Sequence, residues 1–221
     1  VPGMLVANDG THGGKQTTVT YHGTQPAEHR RLQVLVDGRS VYKPALPSVP
    51  RVSWTDLPLA VEDIQRIEVI RGPNSAAYGA NSYLGIINIL TKRPEDVEGV
   101  RAKFTRGSYG IRDYYANKAG RFMGTDYRLT VSGKSDDGFD FGEFKDENKN
   151  EYIAKHRDSR ELDQISLRSN TKLIPGLHFE FQAGYKDGIN QQRDTEAQID
   201  YVTPQDVEVE DTFVWARLHQ E

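Results

Sequence analysis

The sequence predicts a small α+β domain followed by antiparallel strands of a transmembrane β-barrel, and three observations carry this prediction. The chain is hydrophilic overall, with a mean hydropathy of -0.68, yet residues 86–90 are nearly all apolar. A strand that is apolar on both faces belongs inside a compact unit. Beyond residue 99, apolar and polar residues alternate with period two in run after run. Short turns and long charged segments separate these runs, as in barrels of outer membranes.

The first domain opens with an apolar strand and a tight turn. Val34 to Val36 form the strand, and the Asp37-Gly38 dipeptide that follows favours a turn, because glycine accepts a positive φ. Four prolines between residues 44 and 58 then interrupt regular structure. This part of the chain therefore predicts short strands joined by long loops.

Two further strands complete the first domain. Val61 and Ile64 predict a short amphipathic turn, which leads into a strand from Arg66 to Arg71. A glycine-proline turn and a stretch of small residues follow. The buried strand from Ile86 to Leu90 then marks the centre of the domain.

From Gly99 onward the pattern is that of half-buried strands. We count about six, each of a length suited to a membrane-crossing barrel strand, ~9–11 residues. A soluble β-sandwich also alternates, but its polar face rarely carries so many charged residues opposite aromatic ones, so we favour the barrel. The six runs lie around Val100, Asp113, Tyr127, Ile165, Phe179 and Thr212.

The connections between these runs differ in length. Residues 108–110, 123–125 and 174–176 are tight links, whereas residues 136–160 and 189–210 are long, polar and charged. Long loops face outward and short turns face the periplasm in outer-membrane barrels. We therefore expect the two long segments to be outer loops, and residues 108–110 to be a short outer loop.

Composition argues against several classes of function. The chain has no cysteine, which excludes disulfides and thiolate metal sites, and its net charge of -4 argues against nucleic-acid binding. No stretch reaches the ~20 apolar residues of a membrane-spanning helix. His12, His22 and His29 have no compact metal-binding spacing, and no catalytic motif is present. We expect no catalytic residue, no metal and no cofactor.

A series of separate motifs between residues 1 and 93 points to one family. In order and spacing, they resemble the plug domain of a TonB-dependent outer-membrane receptor, followed by the first strands of its barrel. The motifs are Val1-Pro2-Gly3, LQVLVDGR at residues 32–39, DLP at 56–58, DIQRIEVIRGP at 63–73, SAAYG at 75–79 and GIINILTK at 85–92.

This resemblance implies both architecture and function. Residues 1–95 would be the plug domain without its amino-terminal part, and residues 96–221 about six strands of a roughly 22-stranded barrel. The whole protein would import a scarce nutrient complex, most readily a ferric siderophore, across the outer membrane of a Gram-negative bacterium. Its partners would be outer-membrane lipid and TonB, which would act through a segment absent here. The alternative is a non-transporting surface module, such as an adhesin or a phage or toxin receptor.

The resemblance also implies site residues. Arg71 matches a family position that faces the barrel wall, and with Arg66 and Glu68 it would form plug-to-barrel ion pairs. Two loops, residues 7–15 and 42–53, would face the ligand, although ordinary surface loops would look the same. The candidate ligand contacts are Asn8, Asp9, His12, Tyr42 and Lys43.

Overall fold

The computed structural model describes residues 3–8, 17–21, 32–41, 57–79, 81–138, 140–141, 144–145, 151–152, 156–157, 159–193 and 204–220. The chain divides into two compact units. The first comprises Val1–Asn8, Gln16–Leu57 and Val61–Lys92, and the second comprises Asp9–Lys15, Pro58–Ala60 and Arg93–Glu221.

The first unit contains two sheets. Strands β1 (Met4–Asn8) and β2 (Thr17–Tyr21) pair antiparallel in a two-stranded sheet. The second sheet has four strands in the order β4-β3-β6-β5, with β3 parallel to β6 and both outer pairs antiparallel. Its strands are β3 (Leu32–Val36), β4 (Arg39–Ser40), β5 (Ile64–Arg71) and β6 (Gly85–Thr91).

Strand β6 is the centre of this four-stranded sheet. Ile86 is 0% exposed and Val34, on the adjacent β3, is 2% exposed. Gly85 opens β6 where β5 comes close, because a Cβ at this position would lie 2.6 Å from the carbonyl oxygen of Ile70. The buried strand that the sequence predicts is therefore confirmed, since β6 has a hydrogen-bonded neighbour on each side.

The turn after β3 is tied to the far end of β6. Asp37 and Gly38 have φ values of 50° and 85°, the backbone of a type I′ hairpin turn. The buried carboxylate of Asp37 accepts hydrogen bonds from the backbone N–H and the hydroxyl of Thr91, both at 2.9 Å. The Asp37 N–H in turn donates to the carbonyl of Ile89 at 2.9 Å. One acidic side chain thus joins two segments that are distant in sequence.

Short helices complete the first unit. A single 3₁₀ turn, Val61–Asp63, precedes β5, and helix α1 (Ser75–Tyr78) lies between β5 and β6. In the described part of the chain, no helix is both long enough and apolar enough to span a membrane.

The second unit is dominated by a six-stranded antiparallel sheet in the order β7-β8-β9-β14-β15-β16. A 3₁₀ turn, Pro94–Asp96, precedes it. In chain order the strands are β7 (Gly99–Arg106), β8 (Arg112–Phe122), β9 (Thr125–Asp136), β10 (Asp140–Phe141), β11 (Phe144–Lys145), β12 (Glu151–Tyr152), β13 (His156–Arg157), β14 (Arg160–Ile174), β15 (Leu177–Arg193) and β16 (Pro204–Gln220).

Most of the buried side chains in this sheet are polar, although Tyr115, Ala119, Leu162 and Val209 are buried on the same face. One face, here the polar face, carries buried polar side chains, and the other, the apolar face, carries exposed apolar ones. A lipid-embedded barrel has this arrangement, because its apolar residues contact acyl chains and its polar residues line the interior. Buried residues of the polar face include Asn117, Arg128, Thr130, Glu180, Gln182 and Lys186, whereas exposed residues of the apolar face include Leu129, Val131, Ile165, Val214 and Leu218.

The tight links lie where the alternation predicts them. Met123 and Gly124, with φ values of 48° and 79°, form a two-residue hairpin between β8 and β9. At the opposite end of the sheet, the Asp137 N–H, just beyond β9, donates to the carbonyl of Tyr109 at 2.8 Å. The link from β7 to β8 therefore lies beside the start of the first long segment, as predicted.

The prediction that residues 136–160 and 189–210 are loops is wrong in part. The ladder between β15 and β16 continues past Ile189↔Glu208 as far as Arg193↔Pro204. In the other segment, β10 pairs with β13 and β11 pairs with β12. Cross-strand pairing satisfies the backbone whatever the side chains, so strands can extend into a charged sequence. The prediction of loops rested only on the polar, charged composition of the two segments.

Candidate functional site

The first candidate surface is β5, the edge strand of the four-stranded sheet, which carries the charged residues singled out from the sequence. Arg66 Nε lies 2.7 Å from Glu68 Oε1, and the two side chains are 57% and 42% exposed. Residues two apart on a strand share a face, which explains this pairing. Arg71 is also exposed, at the end of the strand. β5 thus presents both charge signs at one sheet edge.

The second candidate surface is the loop of residues 72–84, between β5 and β6, which exposes two tyrosines. Tyr78 is 44% and Tyr83 is 63% exposed. Gly85, just after the loop, pairs with Leu32, so the loop lies at the end of the sheet where β3 begins. An aromatic ring with a hydroxyl offers both apolar and hydrogen-bonding contact to a ligand.

Backbone hydrogen bonds hold this loop in shape. The Gly72 N–H donates to Leu84 O and the Asn74 N–H donates to Ser82 O, both at 3.0 Å. The fully buried hydroxyl of Ser82 donates to Gly79 O at 2.6 Å. The two tyrosines therefore lie on a loop that internal hydrogen bonds hold in one conformation. This lowers the entropy lost when a ligand contacts them.

The third candidate surface is a charged cluster on the polar face that spans three strands. The Glu180 carboxylate, on β15, accepts from Arg168 of β14 and from Arg217 of β16, each at 2.6 Å. The Glu180 side chain is 5% exposed and that of Arg168 is 11% exposed. A buried carboxylate needs such partners, because charge–charge hydrogen bonds offset its loss of hydration.

This cluster has one accessible member. The Arg217 side chain remains 47% exposed and its guanidinium lies 5.1 Å from the centre of the Trp215 ring. Gln182 also donates to Glu180 Oε1, at 3.3 Å. The carboxylate is thereby fixed, while the guanidinium of Arg217 keeps donors directed toward the space that the polar face borders.

A second ion pair lies at the other end of the polar face. Arg160 Nε lies 2.8 Å from the Asp136 carboxylate, and these two residues are direct partners at the ends of β14 and β9. Asp136 also accepts from the Gly138 N–H at 3.1 Å. Both acids therefore fix the geometry of the polar face.

The predicted ligand contacts remain predictions. Asn8 ends β1, but its side chain lies outside the described residues, as do Asp9, His12, Tyr42 and Lys43 altogether. Where the chain is described, no group of three or more His, Asp or Glu side chains is arranged to hold a metal ion.

Sequence reasoning did not single out the Glu180 cluster or the two tyrosines. Arg168, Glu180 and Arg217 each stand at polar positions of alternating runs, so the signal for a polar face was present. Their meeting depends on strand register, which period-two alternation does not specify across a long connection. For Tyr78 and Tyr83, the signal was an aromatic pair within a glycine-containing loop.

Comparison with known proteins agrees with this arrangement. A family model described as the TonB-dependent receptor plug domain matches residues 1–86. Among solved structures, the copper transporter OprC aligns with 87% of this chain at 19% identity and a TM-score of 0.59, with 28% of its own length covered. A variant of the ferric enterobactin receptor PfeA from Pseudomonas aeruginosa, in complex with enterobactin, aligns with 86% of this chain at 18% identity and a TM-score of 0.58, with 30% of its length covered.

A third similar structure is that of the FpvAI–pyocin S2 complex. The FpvAI chain of that complex aligns with 99% of this chain at 14% identity and a TM-score of 0.65, with 29% of its own length covered. At these identities the likeness shows the fold. The chain spans about 30% of the length of the solved proteins that it matches.

Proposed function

We propose, from the premise that this chain carries the plug domain and shares the fold of the TonB-dependent receptors, that the whole protein imports a ferric siderophore. TonB-dependent receptors are transporters rather than enzymes. Residues 1–95 would be the plug, and residues 96–221 would be the first strands of its barrel, in the outer membrane of a Gram-negative bacterium. TonB would supply the energy for import.

The observation that carries this proposal is the joining of two oppositely constructed sheets in one chain. The first unit buries apolar side chains, as a folded globule does, and the sheet of the second buries polar ones. A wide lumen lined by polar side chains would leak unless a globule filled it. The PfeA likeness supports a siderophore as cargo, and the OprC likeness shows that the fold also serves a copper transporter.

We place ligand contact on the loops of the plug. Asn8, Asp9, His12, Tyr42 and Lys43 are candidates from the sequence, and the exposed Tyr78 and Tyr83 add an aromatic surface. Tyrosine hydroxyls can donate hydrogen bonds to the oxygen atoms of an iron chelate, and the rings can contact its organic groups.

The edge strand β5 is the proposed contact between plug and barrel wall. Arg66, Glu68 and Arg71 would hold the plug through ion pairs that break on energisation. Arg71→Ala in the full-length receptor tests this directly. We expect faster release or proteolysis of the plug and altered uptake, whereas unchanged plug retention together with unchanged uptake would reject the role.

Transport itself is tested by growth and uptake. A deletion strain should lose growth on one iron source from a siderophore panel, and uptake of that iron-55 complex should return with the intact gene only when TonB is present. Normal growth of the deletion strain on every iron source, with normal uptake, would contradict the proposal.

A second candidate function is docking of a protein toxin or phage, because a matched FpvAI chain is bound to pyocin S2. This reading predicts that deletion confers resistance to a killing agent, and that a TonB-deficient strain still binds that agent at its surface. If deletion abolishes iron uptake but does not change sensitivity to the toxin or phage, the docking function is rejected and only transport remains.

A further inference from the structure

Two arginines face each other on the apolar face of the six-stranded sheet. Arg106 ends β7 and Arg112 begins β8, and the two are direct antiparallel partners. Side chains so opposed have Cβ atoms ~4.5–5.5 Å apart, and like charges at that spacing destabilise a sheet. Both side chains are exposed, and neither forms an ion pair with any residue that the structure describes. Such a pair is stable when an anion lies between the two guanidinium groups.

The height of the pair on the sheet indicates where that anion would be. Strand β8 runs from Arg112 to Phe122, which precedes the tight turn at Met123. Ten steps of ~3.3 Å along a strand tilted by ~40° rise ~25 Å, which is the height of the apolar band of an outer-membrane barrel. With Phe122 and Met123, exposed by 69% and 88%, at the inner boundary, Arg106 and Arg112 lie at the outer one.

The residues below the pair suit an acyl chain. Phe104 and Tyr114 are direct partners one step toward the turn on the same face, and they are 69% and 41% exposed. The Tyr114 ring covers Gly133, and its hydroxyl donates to Asp163 at 2.8 Å. Aromatic rings mark the interfacial girdles of such barrels. A cationic pair directly above an aromatic pair matches a lipid with an anionic headgroup.

Acidic residues on the neighbouring strands do not neutralise the pair. Arg112 on β8 pairs with Ser135 on β9, and Ser135 pairs with Glu161 on β14, so Glu161 lies two strand spacings from Arg112. These two backbones are ~9.5 Å apart. Asp163 is already the acceptor of the Tyr114 hydroxyl. The carboxylate of Asp137 lies beside Gly110, also at this end of the sheet. Among the described residues, neither Glu161 nor Asp137 forms an ion pair with either arginine.

From this geometry we infer that Arg106 and Arg112 bind the phosphate of an outer-leaflet lipid. The inference rests on the proposed outer-membrane location. Each guanidinium offers paired N–H donors that match two phosphate oxygens, and charge-assisted bonds of this kind are among the strongest in proteins. The lipid anchors the first hairpin of the sheet, β7-β8, at the membrane surface.

The test uses the full-length receptor purified in detergent and a tritium-labelled lipid A that bears two phosphates, supplied in mixed micelles. The double variant Arg106→Gln/Arg112→Gln should bind this lipid at least about tenfold more weakly, the loss expected when charge-assisted hydrogen bonds are removed. The matched control, Arg101→Gln/Lys103→Gln, removes two cations from the other face of the same strand and should bind as the parent does.

Three further arms complete the experiment. Arg106→Lys/Arg112→Lys keeps the charges and should retain more binding than the glutamine variant, which excludes general misfolding. Dephosphorylated lipid A should bind the parent as weakly as the glutamine variant binds the bisphosphate. Inorganic phosphate at millimolar concentration should not displace the lipid; full displacement would show a free-phosphate site and overturn the lipid assignment.

Equal binding of lipid A by parent and glutamine variant, or an equal loss in the control, would also overturn it. Labelled-siderophore uptake by the same cells is scored separately. Arginine-dependent lipid binding without any uptake would reject import alone, and uptake without arginine-dependent binding would reject this site alone.

Discussion

The four-stranded sheet of the first unit and the six-stranded sheet of the second bury different kinds of side chain. In the first, Ile86 and Val34 are sealed from solvent while the charges of β5 are exposed. In the second, Glu180 is sealed while Val214 and Leu218 are 70% and 62% exposed. The first sheet has the burial pattern of a protein surrounded by water, whereas the second has the pattern expected of a barrel with lipid outside and a polar interior.

The largest expected effect comes from removing the buried acid of the polar face. Glu180→Ala leaves Arg168 and Arg217 facing each other without a counter-charge, and breaking a buried pair in this way costs about 3–5 kcal/mol. We expect a lower urea midpoint for the full-length protein in detergent. Leu218→Ala, on the apolar face, is the control, and an equal shift for both variants would break the contrast between the faces.

Truncation of the apolar core of the first unit ranks next. Ile86→Ala opens a cavity beside β3 and should cost about 3 kcal/mol, within the range for buried isoleucine. Hydrogen exchange of the amides in β3 and β6 measures this loss locally. Val214→Ala removes a similar aliphatic group from an exposed position on the apolar face and should barely change exchange in β15 and β16. Comparable losses at both positions would show that the second sheet also has an apolar core.

Removal of the hydrogen bonds between Asp37 and Thr91 should have an intermediate effect on stability. Asp37→Ala removes two acceptor contacts to Thr91 and leaves buried donors unsatisfied, so we expect a cost of about 2 kcal/mol in the first unit. Asp37→Asn keeps one acceptor oxygen and tolerates the positive φ, and should cost less. Thermal unfolding followed by limited proteolysis near residues 85–91 distinguishes the two. A neutral result for alanine would show that the turn does not hold β6.

The smallest effect is expected at the exposed pair on β5. Arg66→Ala breaks a 2.7 Å ion pair, yet exposed pairs contribute only about 0.2–1 kcal/mol. Arg168→Ala breaks a pair of similar length that is buried, and should cost several times more. Matched denaturation curves of the two variants give the ratio. Equal costs would mean that β5 is not exposed in the full-length protein, which would support its proposed contact with the barrel wall.

Much of this fold could be predicted from the sequence because the signals are local. The apolar run at residues 86–90, the Asp37-Gly38 turn and the alternation after Gly99 each depend on neighbouring residues, and all three are confirmed. The extents of the long connections could not be predicted. Polar residues around Ile189 and Glu208 gave no sign of strand, because pairing with a neighbouring strand rather than hydropathy formed the structure there.

The candidate sites divide in the same way. Arg66, Glu68 and Arg71 could be named from a short motif, since they lie on one strand. The Glu180 cluster joins residues 12 and 37 positions apart, and the opposed pair Arg106 and Arg112 requires the register of a hairpin. A one-residue slip would move every side chain to the other face, so no reading of composition alone could have placed these charges together.

By itself, the sequence determined where the strand that is apolar on both faces lies and where the alternating strands lie, because these patterns follow from side-chain type and backbone geometry over a few residues. Only the tertiary structure decided which charges meet. Glu180 with its two arginines, Asp37 with Thr91, and Arg106 opposite Arg112 depend on strand order and register, which are set by the packing of segments distant in sequence.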